Sequence, residues 1–91
     1  MKRALHRRYG HSSTEESAKT RLKREGFEAV AYGNYYRRTP HVTERIIAPW
    51  YGGRPGFHAQ TEALDATHAI RGFGPASLPA CLRWLREQEV R

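Results

Sequence analysis

Apolar positions in this chain change their spacing along its length, and each change marks a new element. Ala18 and Leu22, with Phe27 just beyond, recur at helical spacing behind the capping box Ser13-Thr14-Glu15-Glu16 and ahead of Gly26, which predicts a helix over 14–25. Glu15 and Glu16 in its first turn and Lys23 and Arg24 in its last complement the helix dipole. The apolar stripe is narrow, so Lys19, Lys23 and Arg24 stay in water. From Phe27 the pattern alternates: Phe27, Ala29, Ala31 and Tyr35 on one side, Val30, Tyr32 and Tyr36 on the other, as in a strand. Pro40 interrupts the alternation, and the β-branched stretch Val42 to Ala48 resumes it, giving a hairpin. Gly52-Gly53-Arg54-Pro55-Gly56 is a turn on composition, and Phe57 to Gln60 is long enough for a short third strand.

Beyond Gln60 the spacing turns helical again. Thr61 stands as an N-cap with Glu62 and Asp65 in the first turns, and Ala63, Leu64, Ala66, Thr67 and Ile70 supply an apolar side that ends at Gly72 or Gly74. Ser77 caps a last helix with Pro79 in its first turn and Leu78, Cys81, Leu82 and Leu85 on one face, Trp84 at the border. Leu64 and Leu82 are the expected centres of two buried stripes. The order is α-β-β-(β)-α-α, an α+β fold with a small antiparallel sheet of two to three strands and helices packed on one face. Up to the second helix it resembles the double-stranded RNA-binding domain in topology. That family's lysine-rich turn is represented here by His58-Ala59-Gln60-Thr61-Glu62, which has no lysine, so its activity does not transfer.

Composition sets bounds on this picture. The 91 residues make one domain, and Leu, Ile, Val and Phe together number only 15, below the roughly one-fifth typical of folded chains. Five Tyr and two Trp must therefore complete the core. The formal charge is +7, of which residues 1–11 carry +4 and residues 61–91 carry none. The 1–11 segment has too little apolar surface to offset its ordering entropy, so it is expected to be a disordered basic arm, with residues 12–91 forming the domain. No run approaches the roughly 18 apolar residues that span a bilayer, and no apolar signal region follows Met1 to Arg8. The expectation is a cytoplasmic monomer or small homo-oligomer with no membrane partner.

Between Tyr32 and Arg54, flat rings alternate with guanidinium groups. Rings stack on bases and guanidinium grips phosphate. This points to a small basic nucleic-acid-binding module, largely independent of sequence. Its expected contacts are Arg3, Arg7 and Arg8 in the arm, Lys19, Lys23 and Arg24 on the first helix, and Tyr35, Tyr36, Arg37, Arg38, Arg45 and Arg54 in the hairpin region. The arm, first helix and hairpin are expected to form one continuous basic surface. The same composition suits a second class, an inhibitor or adaptor of mobile-element type that docks on an acidic or nucleic-acid-binding protein.

An enzyme is not expected. His41, Glu44, Arg45 and Tyr35 are the residue types of a metal-independent ribonuclease; in a strand Glu44 projects away from His41 and Arg45, and only a loop conformation near Pro40 brings them together, which leaves this as the minority reading. No cofactor or metal is implied: the five histidines lack ligand spacing, and the lone Cys81 lies among leucines as a small core residue.

Overall fold

The computed structural model describes residues 15–50 and 55–89. A first helix, α1 (residues 15–24), is followed by β1 (Glu28–Ala31), β2 (Asn34–Arg38), β3 (Val42–Ile47), β4 (Phe57–Ala63), β5 (Ile70–Ala76) and a closing helix, α2 (Leu78–Glu89). The strands form one antiparallel meander in the order β1-β2-β3-β4-β5.

The two helix ends expected at Gly26 and Ser77 form as their chemistry dictates. Phe27 N donates to Leu22 O (2.9 Å) and Gly26 N to Lys23 O (3.0 Å), the paired bonds of a Schellman motif. Gly26 takes the left-handed φ of 92° that this motif requires, and Phe27 and Leu22 bury together beneath it. At α2, Ser77 Oγ accepts from Ala80 N at 3.2 Å, the N-cap bond. Leu78, Cys81, Leu82 and Leu85 are the buried face of α2, and Trp84 stacks on Phe73 with ring centroids 5.5 Å apart.

Two expectations give way. The alternating stretch from Phe27 to Tyr36 is a hairpin rather than one strand, because Tyr32 (φ 39°) and Gly33 (φ 81°) both enter the left-handed region and fold Ala31 against Asn34 in a two-residue turn. The helix expected from Thr61 to Ile70 does not exist. Thr61 pairs in β4 with Glu44 and Arg71, and Asp65 accepts from the amide and hydroxyl of Thr67, a local turn that competes with helix formation. Ala63 N then donates to Ala69 O (2.8 Å), closing the connection between β4 and β5. The sheet thus has five strands, and the order is α-β-β-β-β-β-α. The likeness to the double-stranded RNA-binding domain ends with the missing second helix.

The sheet has two different faces. On the covered face, Tyr35, Ile46, Ala59 and Phe73 form a cross-strand row, and Ala18, Leu22, Leu78, Cys81, Leu82 and Leu85 from both helices join it in one core. Trp50 extends that core, meeting Tyr35 and Phe57 edge-on. Among the described residues no helix lies on the opposite face. Leu64, the expected centre of a buried stripe, is 42 % exposed, whereas Leu82 is fully buried.

Candidate nucleic-acid interface

Alternation along each strand sends Glu28, Tyr36, Arg45, Gln60 and Gly72 to the helix-free face in one cross-strand row, with the Glu28 carboxylate at the β1 end beside Tyr36. Arg38, Thr43, Glu62 and Ile70 form the row on one side of it, and Asn34, Ile47 and His58 the row on the other. The Arg45 guanidinium lies 5.6 Å from the centre of the Tyr36 ring, within cation–π range. Its Nε and one terminal nitrogen donate to Asn34 Oδ1 at 3.1 and 2.9 Å, and the other terminal nitrogen donates to Gln60 Oε1 at 3.3 Å. Two neutral amides therefore hold the cation in place without cancelling its charge. Beside this row is a depression of about 340 Å³ lined by Ile47, His58, Gln60, Gly72 and Gly74, where the glycines of β5 leave the sheet surface bare.

Of the expected contact residues, Tyr36, Arg38 and Arg45 come together on this face. Tyr35 belongs to the core on the other side, since residues adjacent in a strand point oppositely. Arg37 shares that covered face and is committed there. Its Nε donates to Glu44 Oε1 (2.6 Å), one terminal nitrogen to the Glu25 carbonyl (2.6 Å) and the other to Glu89 Oε2 (3.3 Å), while the guanidinium lies 4.4 Å from the Phe27 ring centre. Lys19, Lys23 and Arg24 ride on α1, which packs against the covered face, so the first helix and the open face are not one basic surface. Arg3, Arg7, Arg8 and Arg54 lie outside the described residues.

The partners that the residue pattern did not disclose are Asn34, Gln60 and Glu44, each defined by strand register. Glu44 is fully buried, with Oε1 bonded to Arg37 and Oε2 without a donor among the described residues. Burial, and then hydrogen bonding with the Glu89 carboxylate, pushes its carboxyl up to about 7 against the opposing pull of Arg37. The residue types of a ribonuclease are scattered: Tyr35 and Glu44 on the covered face, Arg45 on the open one, His41 exposed in the turn between β2 and β3. Cys81 is buried, and desolvation pushes its thiol up to about 11, as suits a core residue rather than a nucleophile. Among the described residues no helix is long and apolar enough to cross a membrane.

Comparison with protein-family models, with curated proteins and with solved structures finds no match for this chain.

Proposed function

We propose that this protein is a small nucleic-acid-binding module that takes a single strand across the helix-free face of its sheet. The observation that supports this most directly is the pairing of the Tyr36 ring with the positioned Arg45 guanidinium on a face no helix covers. An open sheet face with a stacking ring and a nearby cation has what a single strand needs: a π surface for any base and a charge for its phosphate. Arg38 at the end of β2 adds a second cation, and the glycine-floored depression beside Gln60 has room for a second flat ring. Neutral amides and rings that read no base edge make the binding largely independent of sequence.

Fluorescence anisotropy with labelled single- and double-stranded oligonucleotides over a series of salt concentrations tests this. Tyr36→Ala is expected to weaken single-strand binding by about 1 to 3 kcal/mol with the salt slope unchanged, because stacking releases no counterions. Arg38→Ala is expected to flatten the log–log slope by about 0.7 units on single strands. Binding of the unaltered protein no tighter than about 10⁻⁴ M at physiological salt, or a Tyr36→Ala variant that binds normally, overturns the proposal.

A further inference from the structure

A second groove is elsewhere, between α1 and the free edge of β1. It measures about 900 Å³ and is lined by Lys19 and Lys23 from α1, by the whole of β1 with its turn, and by Tyr35 and Trp50. Four features of it converge. First, β1 has a sheet neighbour on one side only, so the backbone groups along its outer edge have no strand to pair with among the described residues. Second, Val30 on this edge is 61 % exposed. Third, Lys23 is exposed with no ion-pair partner among the described residues, and Lys19 lies 5.9 Å from the centre of the Trp50 ring while reaching Glu15 at 3.0 Å. Fourth, the Trp50 indole N–H is buried with no acceptor among the described residues.

We infer that this groove binds a short, extended, acidic segment of a partner protein, added as a strand on β1 with its carboxylates toward Lys19 and Lys23. Only another extended peptide offers the alternating N–H and C=O groups that an unpaired strand edge accepts, a pattern nucleic acid lacks. Charge selects the sign of the partner: the wall carries Lys19, already bonded to Glu15, and Lys23 against the single acid Glu28, so Lys23 is the cation that draws a carboxylate, and the net charge of +7 acts in the same direction. The same charge disfavours a second copy, which would bring its own lysines to the contact. The site is independent of the open face and does not require nucleic-acid binding.

The test uses the full chain labelled with ¹⁵N and three synthetic hexapeptides: alternating Glu and Val, the same peptide N-methylated at alternate amides, and alternating Lys and Val. The Glu–Val peptide is expected to shift the amides of Lys23 and of Ala29, Val30 and Ala31 and to slow their hydrogen exchange. N-methylation, which removes the strand donors, is expected to weaken binding about 10-fold, and Lys23→Glu about 5-fold. Equal binding by the N-methylated or the Lys–Val peptide overturns the inference, as do peptide shifts confined to Tyr36 and Arg45. So does a single-stranded oligonucleotide that displaces the Glu–Val peptide from the β1 amides, or concentration-dependent self-association through β1.

Discussion

A single arginine, Arg37, ties four elements together. It sits on β2, bonds Glu44 on β3, takes the carbonyl of Glu25 just past the end of α1 and reaches Glu89 at the end of α2. The carboxyl groups of Glu25, Glu44 and Glu89 surround one guanidinium; burial first, and then the neighbouring Glu89, outweigh the pull of Arg37, so Glu44 favours its neutral form and titrates at about 7 rather than at its ordinary 4.5. Between those values the folded chain holds a proton that the unfolded chain has lost. Stability from this group is therefore greatest below about 4.5, falls as the pH rises toward 7 and is flat above it, a change on the order of 3 kcal/mol. Urea unfolding at pH 5 and pH 8 checks the sign: the unaltered protein is expected to lose more stability between the two than Glu44→Gln, which cannot titrate. Identical losses would mean that Glu44 is ionised throughout. The sequence showed Glu44 and Arg37 only as two charges in a hairpin. Their pairing required the register that sets Arg37 opposite Glu44.

At the scale of elements, capping chemistry was more legible than hydrophobic periodicity. The Gly26 end of α1 and the Ser77 start of α2 depend on backbone groups within a few residues of each other, so local sequence suffices. The segment from Thr61 to Ile70 depends on partners far along the chain. Its alanines and single Leu64 suit a helix intrinsically, yet Thr61 and Ala63 are held in β4 by Glu44 and Val42, and the Asp65 turn returns the chain as β5. The contrast between two leucines measures this. Leu82→Ala is expected to destabilise by about 2 to 5 kcal/mol, whereas Leu64→Ala, at an exposed turn, should cost under about 1 kcal/mol in denaturant unfolding. A cost at Leu64 as large as that at Leu82 would indicate a packed helix in place of the β4–β5 hairpin.

For the whole molecule, the consequence of five strands with two helices on one side, among the described residues, is a division of its cations. Lys19, Lys23 and Arg24 travel with α1 to the covered side, while Arg38 and Arg45 remain on the open face beside Tyr36. Arg24→Glu is therefore expected to change oligonucleotide affinity by no more than about 2-fold at physiological salt, because charges separated by more than a Debye length are largely screened. A loss matching that of Arg38→Ala, read in the same anisotropy titration, would place the strand on the α1 side. The amino-acid sequence by itself determined the α+β class, both described helices, the end of α1 and start of α2, the hairpin around Pro40, and the scarcity of aliphatic residues that draws Tyr35 and Trp50 into the core. These follow from interactions among near neighbours or from composition. Tertiary structure alone decided the number of strands, which of Tyr35 and Tyr36 is buried, and which of Arg37 and Arg45 lies on the covered face. A strand alternates its side chains in any register and against either face, so only the packing of distant elements selects which side is covered.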